Sequence, residues 1–119
     1  MSEKRLKKLI RKYFRWWLHW TGLGYWNITL QISGEQKQSS DGGMLAGHCD
    51  CSWKYLTATI TIYLPALEGC TPAQIEKVII HELVHVLINE MREGDSDHEE
   101  RVVTQLQKAF SWVKEGAHA

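Results

Sequence analysis

Three polar side chains within one five-residue segment have the spacing needed to hold a metal ion and to work beside it. His81, Glu82 and His85 form the pattern H-E-x-x-H. Helical residues four apart lie about 40° apart around the axis and one turn apart along it, so both imidazoles can reach one ion. Glu82 lies about 100° further round and can address a water on that ion without being a ligand. Two imidazoles beside an open coordination position suit zinc.

The residues around this motif predict that it lies on a buried helix. Apart from the motif, no charged residue occurs between Lys77 and Glu90. Thr71-Pro72 is a typical helix start, so we expect a helix from residue 72 to about residue 92, ending at Gly94. Burying two histidines and a glutamate costs several kcal/mol unless they are satisfied, and a metal ion would satisfy them.

The segment VIIHELVHVL resembles the metal-binding helix of the zincin metallopeptidases. Metzincins add a glycine and a third histidine downstream, and Asn89-Glu90-Met91 and the residues that follow supply neither. Gluzincins take a glutamate from the next helix, and this chain offers His98-Glu99-Glu100 there. Over residues 53–113 the resemblance is closest to small gluzincin-like metallopeptidases of phages and prophages, and more distant to the ImmA/IrrE-type peptidase domains.

The phase of the last predicted helix, residues 98 to about 114, favours Glu99 as the third ligand. Glu99 precedes the first residues of the apolar stripe by three, four and seven positions and therefore lies on it, whereas Glu100 and His98 point to either side. The predicted zinc ligands are thus His81, His85 and Glu99, with Glu100 and His98 as alternatives. The stripe consists of Val102, Val103, Leu106, Phe110 and Val113.

The resemblance implies a zinc-dependent metallopeptidase acting on peptides or proteins. Glu82 would be the general base, taking a proton from the attacking water and passing it to the leaving amine. The substrate would lie extended against the edge of a sheet, beside the strand predicted at residues 53–64. The alternative is a zincin-like zinc-binding module that regulates or binds other proteins with little or no proteolysis.

A second set of metal-ligating residue types, His48-Cys49-Asp50-Cys51, lies in the first half of the chain. The pair of cysteines with a neighbouring histidine could bind a second metal or place a thiolate on the zinc. Structural zinc sites usually need a second pair of ligands, and Cys70 is the one other cysteine. We therefore expect small residues leading into a strand near the cleft, with His48 as a candidate contact to the substrate or to the oxyanion.

The elements that would position these residues predict a single α+β domain over residues 1–119. A spacing of three and four between apolar residues predicts an N-terminal helix at 3–20, and alternation predicts strands at 26–32 and 53–64. Residues 33–44 are polar and predict a loop, and a small strand is allowed for near 44–51. With the two later helices, the expected fold is a small zincin-like domain built on a short mixed sheet.

The charge and the number of cysteines limit which partners and which cellular compartment are expected. The net charge is zero, so the protein as a whole has no electrostatic attraction for nucleic acid, and no nucleic acid partner is expected. Residues 1–20 nevertheless carry a net +6 and residues 90–100 a net −5. We interpret the cationic helix as packing on the core, with membrane-surface or RNA binding as alternatives. Three cysteines and no spanning segment predict a reduced, cytoplasmic protein.

Overall fold

The computed structural model describes residues 1–52, 54–89 and 96–117 and contains three α-helices and one three-stranded sheet in that part of the chain. This architecture confirms the predicted α+β class. The elements in chain order are α1 (Glu3–Trp20), β1 (Asn27–Ser33), β2 (Gly47–Ser52), β3 (Thr57–Tyr63), a 3-10 helix (Leu64–Leu67), α2 (Pro72–Ile88) and α3 (Ser96–Ala117).

Helix α1 forms because its ends are capped and its apolar stripe is buried. The Ser2 hydroxyl accepts a hydrogen bond from the backbone N–H of Arg5, and the chain turns away at Gly22, whose φ of +76° favours glycine. The observed bounds are those predicted from the sequence. The buried side chains are Leu6, Ile10, Phe14 and Trp17, and they join the one hydrophobic core.

The sheet has the strand order β1-β3-β2, with β1 parallel and β2 antiparallel to β3. The strand allowed for near 44–51 is thus β2, and the sheet is mixed, as expected. Because β3 has a partner on each side, the expectation that a substrate would pair beside residues 53–64 is wrong. The outermost strand next to α2 is β2, and pairing to an extended peptide requires such an outermost strand.

Strand β3 is shorter than the predicted 53–64. Trp53 lies outside the described residues, and Lys54–Leu56 form a turn. Leu56 adopts a φ of +54° and is exposed, so it leaves the face on which Ala58, Ile60 and Ile62 are buried. Hydrophobic alternation extends through this turn in the sequence, which is why it predicted too long a strand.

Helix α2 lies at the centre of the molecule and packs against α1, α3 and β2. It begins at a capping box in which Thr71 and Gln74 exchange side-chain and backbone hydrogen bonds. It ends at Ile88, with Asn89 as the capping residue, so it is shorter than predicted. The predicted stop at Gly94 lies outside the described residues.

Helices α2 and α3 run antiparallel, as the contacts of Glu76 with Lys114 and of His85 with Glu99 show. At the far end of the pair, Lys114 forms an ion pair with Glu76, and Glu76 also accepts a hydrogen bond of 2.8 Å from Nε1 of Trp17. This junction ties all three helices together.

In the described part of the chain, no helix is long and apolar enough to cross a membrane.

Candidate metal centre

His81 and His85 lie one turn apart on the face of α2 that meets α3. Their ring centroids are 5.0 Å apart, and both side chains are largely buried. The helical spacing therefore does what the motif predicts, and brings the two imidazoles together. The rest of α2 is anchored in the core by Ile75, Ile79, Ile80, Leu83, Val84 and Val86.

The carboxylate of Glu100, on the first turns of α3, lies between the two rings. One of its oxygens is 3.2 Å from Nε2 of His81, and the other is 2.8 Å from Nε2 of His85. Ligand atoms of His81, His85 and Glu100 all lie within 4.8 Å of one another. Three donors this close, at one end of a cavity, have the spacing of three ligands around one ion.

The other nitrogen of each ring is held from behind by α3. Nδ1 of His85 is 2.9 Å from Oε1 of Glu99, and Nδ1 of His81 is 3.2 Å from Oε1 of Gln107. When Nε2 binds a metal, the ring proton is on Nδ1, where these acceptors can receive it in a hydrogen bond. Two imidazoles and one carboxylate form a donor set that suits zinc, so the residues present fit the expected ion.

The predicted role of Glu99 as a ligand is not supported by this geometry, which favours Glu100. Glu99 is buried, at 6% exposure, as its phase on α3 predicted, like the fully buried Val103. However, the buried position on α3 lies behind His85, at Nδ1, while the more exposed Glu100 reaches both Nε2 atoms. The side chain of His98, the other alternative, lies outside the described residues.

Gln107 was not predicted as part of the site. It lies seven residues after Glu100, which is two helical turns along the same face of α3. Its helix position would have identified it once Glu100, and not Glu99, had been taken as the residue facing the rings. The sequence signal was therefore present but depended on the choice between two adjacent glutamates.

Glu82 lies beside the histidines and is buried, at 6% exposure. Burial raises its pKa to about 7, with a further rise from the negative charge of Glu100 and a partial offset from His85. Strand β2 approaches it so closely that a methyl group on Gly47 would be 2.9 Å from its Cγ and 3.0 Å from its Oε2. A glycine at position 47 therefore makes room for the carboxyl group.

The three candidate ligands and Glu82 open into one cavity of about 830 Å³. Strand β2 lines one side through Gly47, His48, Cys49 and Cys51, and residues 38–41 of the preceding loop also contribute. The cavity is therefore bounded by α2, α3 and the outermost strand of the sheet. A space of this volume accommodates a ligand of small-molecule or short-peptide size.

Cys49 and Cys51 face this cavity from alternate positions of β2. A hydrogen bond with Cys51, and then burial, raise the pKa of the Cys49 thiol, which keeps it protonated. Among the described residues, His81, His85 and Glu100 are the one group with metal-binding geometry, so the second metal site considered for His48, Cys49 and Cys51 has no support there. His48 is exposed and lines the cavity, consistent with a contact residue.

Comparison of the chain with family models, with curated proteins and with solved structures found no match.

Proposed function

We propose that this protein is a zinc-dependent metallopeptidase. One observation carries the proposal: ligand atoms of His81, His85 and Glu100 lie within 4.8 Å of one another, beside a buried Glu82 that lines the same cavity. A site that only bound a metal ion would not need the additional buried carboxyl group of Glu82 beside its ligands. The H-E-x-x-H motif assigns such a group to proton transfer.

His81, His85 and Glu100 would hold the ion, and Glu99 and Gln107 would orient the two rings. When bound, zinc supplies a Lewis acid that polarises a carbonyl group and makes water acidic near neutral pH. Because the rings are fixed at Nδ1, each Nε2 is aimed before the ion arrives. Such orientation typically contributes about 10–100-fold to metal affinity.

Glu82 would carry the proton. A carboxylate at this position could accept a proton from the attacking water and then, as the acid, donate it to the leaving amine. The close approach of β2 at Gly47 limits the positions that the Glu82 side chain can take. Restricting the base in this way favours catalysis, because displacements of about 1 Å can cost about 10²-fold in rate.

The substrate would be an extended peptide or protein segment paired with β2. This strand is outermost in the described sheet and lines the cavity beside Glu82, so a peptide hydrogen-bonded to it would bring a carbonyl group towards the candidate centre.

A reducing compartment such as the cytoplasm suits the chain. All three cysteines belong to the described residues, and none forms a disulfide.

The metal content of the purified protein tests the proposal directly. Elemental analysis should find about one zinc per chain in the wild type and little in His85→Ala. His48→Ala is the matched control, because it removes another histidine from the same cavity without touching the ligand group, and should keep its zinc. A wild-type protein that takes up no zinc would refute the proposal.

Hydrolysis separates the peptidase from the zinc-binding module. With a library of quenched fluorescent peptides, Glu82→Gln should keep zinc and lose about 10²–10⁴-fold or more in rate, since the amide cannot accept the proton. Full activity in Glu82→Gln would refute the assigned base. Bound zinc with no hydrolysis by the wild type would favour a module that binds or regulates other proteins.

A further inference from the structure

The exposed face of α1 carries a dense group of cations that the proposed peptidase site does not use. Six positions fall within about 120° of arc when the helix is viewed end on. None of the six forms an ion pair with a described residue, whereas Lys7 is paired with Glu3 at 3.1 Å. The six cations, referred to here as the basic face, are Lys4, Arg5, Lys8, Arg11, Lys12 and Arg15, all exposed.

The basic face continues into two exposed tryptophans. Lys4, Lys8 and Lys12 are spaced by four residues, and the same spacing leads on to Trp16 and Trp20, so the five form one ridge about 24 Å long. The indole rings of Trp16 and Trp20 lie 5.4 Å apart and are tilted by 31°. Trp20 is 62% exposed, which leaves most of its ring available to a ligand.

Trp16 is fixed in place, which makes it a platform for the tryptophan beyond it. Its ring packs edge-on against Trp17, with the ring centroids 4.8 Å apart, and the Lys114 ammonium lies 4.4 Å from its centre. Trp17 itself is buried. The end of the ridge is therefore anchored in the three-helix junction, and ordering it on binding costs little side-chain entropy.

The opposite face of α1 is not available to a partner. Its apolar side chains are in the core, including Ile10 at 0% exposure and Trp17 at 3%. A membrane-surface helix binds by inserting its apolar face into the lipid, and α1 cannot do this without unfolding the domain. Cations beside exposed aromatic rings instead suit a flexible polyanion whose bases can stack.

We propose that the basic face and Trp20 bind single-stranded nucleic acid, with phosphates along the lysine and arginine rows and a base stacked on Trp20. The expectation of no nucleic acid partner rested on a net charge of zero. That total hides the separation of charge: residues 1–20 carry a net +6, and the described acids Glu99 and Glu100 contact the histidines of α2. This binding does not depend on the proposed peptidase activity.

Fluorescence anisotropy with labelled 20-nucleotide oligo(dT) and oligo(U) tests the proposal and distinguishes DNA from RNA. For four to six phosphate contacts, log K should fall with log salt with a slope of about −3 to −4, or about a hundredfold between 50 and 200 mM salt. Changing Lys8, Arg11, Lys12 and Arg15 together to Gln should weaken binding more than tenfold and reduce the slope to about −1.

A second quadruple variant provides the matched control. Changing Lys37, Lys54, Arg101 and Lys108 to Gln removes the same charge from exposed positions outside α1 and should leave most of the affinity. Trp20→Ala should lower affinity about tenfold without changing the salt slope, because stacking releases no counterions. Circular dichroism would verify that each variant is folded.

Several results would overturn the proposal. Equal losses in the two quadruple variants would mean that net charge, and not the basic face, determines binding. An unchanged affinity in Trp20→Ala would mean that no base stacks on Trp20, and would contradict the assignment to single-stranded nucleic acid. No binding of either oligonucleotide at 50 mM salt would also refute it. The protein should also be compared on phosphatidylserine vesicles and oligonucleotide at the same total phosphate concentration and 150 mM salt. Tighter binding to the vesicles would assign the basic face to anionic membranes.

Discussion

Each imidazole ring of the candidate centre has an acceptor at both of its nitrogens. Glu99 and Gln107 contact the Nδ1 atoms, and the Glu100 carboxylate contacts both Nε2 atoms. The rings are therefore held by α3 in an orientation that suits metal binding. An ion that replaces the contacts between Glu100 and the two Nε2 atoms needs little rearrangement of either helix.

The two adjacent glutamates should respond differently to the same isosteric change. Glu100→Gln replaces a carboxylate ligand with a weakly coordinating amide, so zinc affinity should fall by more than about a hundredfold, beyond the ~10–100-fold range of an orienting contact. Glu99→Gln keeps an oxygen that can accept from Nδ1 of His85 and should lose about tenfold or less. Competition for zinc with a chromophoric chelator measures both.

Arg101→Gln is the control for this pair, because it changes the next exposed residue of α3 without touching either histidine. It should bind zinc as the wild type does. The reverse order, with the larger loss in Glu99→Gln, would make Glu99 the ligand and would contradict the assignment of Glu100.

Residue-level prediction from the sequence succeeded where the helix period alone decides the outcome. The meeting of His81 and His85 follows from a spacing of four, and the burial of Glu99 follows from its phase. The role of Glu99 could not be obtained in that way. Which of two adjacent carboxylates reaches a ring nitrogen depends on how α3 is rotated and placed against α2, and that is a property of the packed pair.

At the level of elements, the contact between β2 and α2 determines where the base can lie. Gly47→Ala would put a methyl group 2.9 Å from Cγ of Glu82, and the glycine backbone there does not have a positive φ. The effect should therefore be steric. We expect hydrolysis to fall by about tenfold to a hundredfold, with zinc content unchanged and about 1–3 kcal/mol of stability lost to overpacking.

Gly34→Ala adds the same methyl group to a glycine with open space around it and is the comparison for Gly47→Ala. Peptide hydrolysis, zinc content and urea denaturation should be measured on both. Wild-type activity in Gly47→Ala would mean that Glu82 does not need the space that β2 leaves for it.

The elements themselves were predictable in proportion to how local their signals are. The bounds of α1 and the capped start of α2 agree with the sequence patterns, because caps and apolar stripes act within a few residues. The start of β3 was not predictable, because a leucine at positive φ carries no sequence signal of a turn. Nor was the strand order, since pairing joins strands that are far apart in the chain.

For the molecule as a whole, the buried Glu82 makes the stability of the metal-free protein depend on pH. Its folded-state pKa of about 7 lies above the ordinary value of 4.5, so between these values the folded chain holds a proton that the unfolded chain has lost. The stability associated with that proton is fully present below pH 4.5 and is lost as pH rises through 7. The loss should be about 3 kcal/mol.

Urea denaturation in the presence of a chelator, at several pH values from 4.5 to 8, measures this effect. Glu82→Gln has no charge to bury, so the wild type should lose stability relative to the variant as pH rises. A difference between the two proteins that stays constant across this range would contradict the burial argument.

The antiparallel pairing of α2 and α3 also has a kinetic consequence. The residues that would hold or orient the candidate ion lie within residues 81–107, at most 26 positions apart, and contacts of smaller sequence separation tend to form earlier in folding. Strand β2, which completes the cavity, meets α2 across a longer separation, from Gly47 to Glu82, so this contact should form later. Stopped-flow mixing with zinc would follow this order, and we expect the folding chain to bind zinc before the cavity beside β2 is complete.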